Sequence, residues 1–234
     1  MDIVRRGYVP QDLVEFGPKY REAMGRAAQE VGYLVNRGYD IKPASTFVGN
    51  HYMLSERQRM ALARIISPDG MIAKRLESEI PKTEPPAQVL IDGFNLIVTL
   101  EVALSGSLLI EGMDGTFRDL AGLRGTYRIV DKTELAVDAM LRYMDQAGIR
   151  RARIFLDQPV SNSGRLRQLI RERSADYKVQ ADAELRPDVD RSLYGCEAVV
   201  TSDAIILNNC ASWFNMGWWI IEAFVPEAWV YRLG

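Results

Sequence analysis

The stretch Val89-Leu90-Ile91-Asp92-Gly93-Phe94-Asn95-Leu96-Ile97 decides how this 234-residue chain is read. Val89 to Ile91 is a short continuous apolar run, the pattern of a strand buried on both faces, and Asp92-Gly93 ends it. Arg153-Ile154-Phe155-Leu156 repeats the pattern and runs into Asp157. Ala198-Val199-Val200-Thr201 repeats it again and runs into Ser202-Asp203. Lys178-Val179-Gln180 and Trp218-Trp219-Ile220-Ile221 are weaker strand candidates. Helical periods lie between them, over residues 133–148, 163–173 and 203–209. Strands that alternate with helices predict right-handed crossovers and a mostly parallel sheet.

Upstream the period changes. Residues 12–38 carry Leu13, Phe16, Tyr20, Met24, Ala27, Val31 and Val35 near a 3.6-residue spacing, which predicts one helix stopped by Gly38. Ser55-Glu56-Arg57-Gln58 spells a capping box, and Pro68-Asp69-Gly70 predicts the turn that ends the following helix. Pro81-Lys82-Thr83-Glu84-Pro85-Pro86 suits an extended linker. The expected organisation is a small all-helical module over 1–80, a Pro-rich linker over 81–87 and an α/β domain over 88–234.

Each confident strand finishes in an aspartate. In an open parallel sheet the carboxyl ends of the strands share one edge, so Asp92, Asp157 and Asp203 are expected together there. Pro187-Asp188-Val189-Asp190 precedes the last of these strands and predicts a helix start at the same edge, with Asp190 or Asp188 as a fourth acid. Clustered carboxylates repel one another, and a hard divalent cation resolves that repulsion. Mg²⁺ or Mn²⁺ takes oxygen ligands, activates water and stabilises the leaving oxygen of a phosphodiester. Asn95 and Ser202 would orient a water or phosphate oxygen. A single aspartate after a strand is, by contrast, commonly a turn or helix-capping residue.

Composition excludes several classes. The chain is 26% charged and 47% hydrophobic with net charge −2, which rules out disorder and gives no global pull to a polyanion. Two cysteines and one histidine are too few for a zinc site, and Cys196 and Cys210 are expected reduced and buried. No apolar leader opens the chain, and residues 213–225 are interrupted by Asn215 and Glu222, so a cytoplasmic protein without a membrane partner is expected. His51 has no nucleophile pattern beside it. Phe94 stands where a dehalogenase-type phosphatase needs a second carboxylate, and no Gly-x-Gly-x-x-Gly follows the first strand.

Residues 89–97 and Val199-Val200-Thr201-Ser202-Asp203 resemble the first and last motifs of NYN-type ribonuclease domains, a branch of the PIN-like nucleases, over about residues 87–225. The whole chain also resembles an uncharacterised family with an N-terminal helical module, through segments such as Val48-Gly49-Asn50-His51-Tyr52 and Gly125-Thr126-Tyr127-Arg128. The resemblance implies a PIN-like three-layer α/β/α domain that hydrolyses RNA with Mg²⁺ or Mn²⁺. It implies Asp92, Asp157, Asp203 and Asp190 as metal ligands, with Asn95 and Ser202 assisting. The helix glutamate of many PIN domains has no clear counterpart, Glu134 being the nearest. A non-catalytic RNA-binding or adaptor protein on the same fold is the alternative, and self-association stays open.

Substrate contacts are expected from two loops. Residues 105–128 are glycine-rich and longer than a usual connection, and as a flap they would offer Arg118, Arg124 and Arg128 to phosphates. Ser161, Ser163 and Arg165 follow Asp157 at the next helix start. Arginines between Arg150 and Arg173 would add a basic stripe beside the acids, and Tyr127 and Tyr194 would stack on bases.

Overall fold

The computed structural model describes residues 5–122 and 125–233. The helical region holds α1 (Asp12–Glu15), α2 (Arg21–Val35), α3 (Ile41–His51), α4 (Glu56–Ile65) and α5 (Asp69–Glu77), with a 3₁₀ turn at Pro18–Tyr20. The one long helix expected over residues 12–38 is therefore broken. Proline cannot donate a helical hydrogen bond, and Pro18 starts a new turn after the extended Gly17. Ser55 and Gln58 form the expected capping box, with Oγ accepting from the Gln58 N–H at 3.1 Å and Gln58 Oε1 from the Ser55 N–H at 2.9 Å. Pro68-Asp69-Gly70 opens α5 rather than making a free turn. Residues 81–87 carry no helix or strand.

Downstream come β1 (Gln88–Asp92), α6 (Gly93–Leu104), β2 (Leu109–Glu111), β3 (Phe117–Asp119), α7 (Asp131–Ala147), β4 (Arg151–Asp157) and α8 (Ser163–Ser174). They are followed by β5 (Gln180–Arg186), α9 (Val189–Leu193), β6 (Val199–Val200), α10 (Ala204–Asn209), α11 (Met216–Phe224) and β7 (Val230–Tyr231). The fold is α/β. Four parallel strands run in the order β5-β4-β1-β6, and β3-β2-β7 form a smaller sheet, β2 antiparallel to β3 and parallel to β7. Trp218 to Ile221, a strand candidate by its apolar run, lies in α11. Short apolar runs do not distinguish a buried helix from a strand.

Strand alternation separates two cores. Val89, Ile91, Ala152, Ile154, Leu156 and Val200 pack with α6, α7, α8 and α11. Leu90, Phe155 and Val199 face the other way, onto α9, α10 and Trp213. Helices thus cover both faces of the parallel sheet, in three layers. A third core joins α2, α3 and α4 to Leu108, Ile110, Leu120 and Tyr231, so the helical region packs on the small sheet. Cys210 is buried in the α9–α10 layer, Cys196 lies at its margin, and both thiols are free.

Candidate functional site

The same alternation aims the acids. Asp92 shares strand parity with Leu90, Asp157 with Phe155, and Thr201 with Val199, so all three emerge on the face covered by α9 and α10. That face carries the starts of two short helices. Asp188 caps α9 through the Arg191 N–H at 3.0 Å, and Asp203 caps α10 through the N–H groups of Ile205 at 2.7 Å and Ile206 at 3.2 Å. Capping therefore accounts for one oxygen of Asp203 and for Asp188, which also pairs with Arg191 at 3.4 Å. Asp190, in the first turn of α9, feels the charges of Asp203 and Asp157 and is the fourth acid of the edge.

The cluster opens outward. Asp92 is buried, Asp157 and Asp203 are half-buried, and Asp190 is exposed. Burial pushes the Asp92 carboxyl up to about 7, with the charges of Asp203, Asp157 and Asp190 adding to it and the Thr201 hydroxyl opposing it. Burial also raises Asp157, against the pull of the Val189 N–H and its own backbone N–H. Asp190 is raised by burial and then by Asp203 and Asp157. None of Asp92, Asp157, Asp190 or Asp203 makes an ion pair among the described residues.

Neutral hydrogen bonds tie the edge together. Thr201 Oγ1 donates to Asp92 Oδ2 at 2.9 Å and accepts from the Asp203 N–H at 3.0 Å. Ser202 gives both its N–H, at 2.8 Å, and its hydroxyl, at 2.9 Å, to Asn95 Oδ1. Asn95 and Ser202 are thus brought together as expected, but each occupies the other. A groove of about 450 Å³ opens beside Asn95, Ser202 and Asp203 and is closed on its far side by α3 and α4.

The donor set is of the oxygen chemistry that a hard cation takes: carboxylates that make no ion pair among the described residues and repel one another. Among the described residues, no group of three or more His, Cys, Asp or Glu side chains is placed to hold a metal ion. A Mg²⁺-type ion does not require such a group. It is commonly held by one or two carboxylates, waters and substrate phosphate.

The expected substrate contacts fare unevenly. Arg118 is buried, its Nη2 on Asp114 Oδ2 at 2.5 Å, so it is not a free phosphate ligand. The segment around it is no loose flap, because its first half is the β2–β3 hairpin. Arg124 lies outside the described residues. Ser161 Oγ donates to the Tyr127 carbonyl at 3.1 Å and accepts the Tyr127 N–H at 2.9 Å, and Ser163 is buried, so both serve the loop rather than a ligand. Arg128 and Arg165 are exposed. Tyr127 is buried with its hydroxyl on Glu101 at 2.6 Å and offers no stacking face. Glu134 is exposed on α7 and takes no part in the cluster. Arg150, Arg151 and Lys178 line a groove at the amino edge of the sheet. The seven residues of β4 put them roughly 20 Å from Asp157, not beside it.

Sequence reasoning missed the brace behind Asp203. Arg118 Nε donates to the Ser202 carbonyl at 2.7 Å, and Arg75 Nη2 to the Ala204 carbonyl at 3.2 Å. Both guanidinium groups share Asp114 Oδ2, Arg75 at 2.6 Å. Burial works against the Asp114 charge, yet Arg118, Thr116 and Arg75 hold its carboxyl below the usual range. Only the three-dimensional meeting of α5, the hairpin and the last strand end reveals this, because nothing in the spacing of residues 75, 114 and 118 relates them to 203. The role of Thr201 was readable: a β-branched hydroxyl residue at the parity of Asp92.

Comparison with known proteins gives a family without an assigned role. Residues 82–218 match the domain of unknown function DUF5616, and residues 23–77 match the protein of unknown function DUF434. The uncharacterized protein MJ0935 of Methanocaldococcus jannaschii is 32% identical over 190 residues, covering 79% of this chain and 88% of that protein. No solved structure matches. Among the described residues no helix is long and apolar enough to cross a membrane. With more than half its length matched by one family model and a relative spanned almost end to end, the chain belongs to the DUF5616 family.

Proposed function

We propose that the protein is a cytoplasmic, metal-dependent ribonuclease working at the carboxyl edge of the parallel sheet. The observation that carries this reading is that Asp92, Asp157, Asp190 and Asp203 lie along one edge, near enough to feel one another's charge, with none in an ion pair among the described residues and the Thr201 hydroxyl on the deepest of them. The resemblance of Asp92-Gly93-Phe94-Asn95 and Thr201-Ser202-Asp203 to NYN-type motifs supports RNA as substrate.

Asp92, Asp157, Asp203 and Asp190 are the carboxylates that would hold Mg²⁺ or Mn²⁺, one or two of them directly and the others through water. When bound, the ion supplies Lewis acidity to the phosphate and a lowered pKa to a water. Thr201 holds Asp92 and the Asp203 backbone in register. Ser202 fixes the Asn95 amide by its oxygen and leaves Nδ2 to donate to a phosphate oxygen in the groove. In the reaction a water oxygen would bond to phosphorus while one of its protons passes to an aspartate of the cluster, and the P–O bond to the leaving ribose oxygen would break as that oxygen takes a proton from solvent.

The test is cleavage of end-labelled RNA with Mn²⁺ and with EDTA, by wild type and by Asp92→Asn, beside direct Mn²⁺ titration followed by electron paramagnetic resonance. Wild-type cleavage that needs Mn²⁺ and drops by about 100-fold or more in the variant supports the reading. Equal behaviour of the two proteins over varied substrates, with no Mn²⁺ bound, removes it in favour of an RNA-binding adaptor.

A further inference from the structure

The carboxylate edge on its own repels a polyanion, so a strand that reaches it must be held by cations elsewhere. The sheet does not provide them in the groove. Arg118 is consumed by Asp114, Arg150 and Arg151 lie at the opposite edge, and Arg128 and Arg165 belong to the segment packed around the start of α8. The groove beside Asp203 is walled on its far side by the helical region. Lys42, in the first turn of α3, is exposed and makes no ion pair among the described residues. Arg64, at the end of α4, donates to the Asp119 carbonyl at 2.6 Å, with the Asp119 carboxylate 3.9 Å away and 38% of the arginine side chain still exposed. Cations on one wall thus face Asp203 on the other.

The floor has a second unusual feature. Ile205, two residues after Asp203, is 55% exposed, a large apolar side chain held in solvent at the start of α10. An apolar surface beside a polar, charged groove suits the face of a base. The volume falls in the range of small-ligand clefts, about 300–1,000 Å³, and suits a single strand rather than a duplex.

We propose that α3 and α4 form the second wall of a single-stranded RNA groove, with Lys42 and Arg64 gripping backbone phosphates while a base packs on Ile205. The helical region then acts as the substrate clamp, and the identity of the strand rests on the ribonucleolytic reading above.

The experiment measures anisotropy of a labelled single-stranded oligoribonucleotide with the full chain in EDTA, over a range of salt. Lys42→Glu should weaken binding by about tenfold and make the salt slope shallower by about 0.7 for each lost phosphate contact. Ile205→Ala should weaken it by about fivefold. Arg151→Glu, at the far edge, should match wild type, and a duplex of the same sequence should bind more weakly. Lys42→Glu binding as wild type does, a preference for duplex, or no single-strand binding by wild type would each overturn the clamp. Mn²⁺-dependent cleavage, scored separately with Asp92→Asn, shows whether the hydrolase reading survives such a result.

Discussion

Asp92 is the most deeply buried acid of the proposed site, and its titration is measurable without substrate. Burial holds its carboxyl near 7, against an ordinary 3.8. A carboxyl raised by folding contributes stability that is fully present below its unfolded value and is lost as pH climbs through its folded value. Three units correspond to an unfolding free energy on the order of 4 kcal/mol. In EDTA, wild type should therefore lose stability between pH 4 and pH 8. Asp92→Asn should flatten that slope and exceed wild type at pH 8. Urea unfolding at several pH values checks this, and a wild-type curve flat across the window would show that Asp92 ionises freely. Added Mn²⁺ should stabilise wild type more at pH 8 than at pH 5, because the ion binds the ionised form. Asp92, Asp157 and Asp203 were legible in the sequence because each ends an apolar run. Spacing alone left Asp190 and Asp188 open and the resemblance pointed to Asp190; the structure spends Asp188 on its own helix cap.

At the scale of elements, two joints set the site. Gly93 begins α6 directly after β1, and a Cβ there would stand 2.6 Å from Leu156 Cδ2 and 2.8 Å from the Phe155 carbonyl. The carbonyl belongs to β4 and cannot swing aside. Gly93→Ala should cost about 2–4 kcal/mol by overpacking and displace Asp92, read as a lower urea midpoint and weaker Mn²⁺ binding. The second joint is the arginine brace. Arg118→Met would remove the clamp on the Ser202 carbonyl and leave Arg75 as the one cation on Asp114 among the described residues, a loss of about 3–5 kcal/mol for a broken buried pair. A variant as stable as wild type by urea unfolding would contradict the brace. Periodicity made most of these elements readable, including α7 with its Gly148 stop at φ +75°. It failed at α11, where Trp218 to Ile221 are apolar without alternation, and at Arg118, read as a phosphate contact but buried on Asp114.

Across the whole molecule, the helical region is welded to the rest. Its core takes in Leu108, Ile110, Leu120 and Tyr231 from beyond the Pro-rich stretch. Ile80 donates its N–H to the Trp213 carbonyl at 2.7 Å, and Arg6 Nε stands 2.7 Å from Glu101 Oε2 on α6. The protein should unfold in urea as one transition, with tryptophan fluorescence and far-ultraviolet circular dichroism coincident. Residues 1–80 expressed alone should lack stable tertiary structure, because the small sheet that covers their apolar face is missing. A well-dispersed amide spectrum from that fragment would show the helical region to be self-sufficient.

The edge-on contact of Phe16 with Tyr231, ring centroids 5.1 Å apart, places one of the first buried side chains against one of the last. On the ribosome Phe16, at the end of α1, must therefore wait for β7 to leave the exit tunnel before it is covered. At roughly 5–20 residues per second that interval is on the order of ten seconds or more, a period in which a nascent apolar surface is open to chaperones.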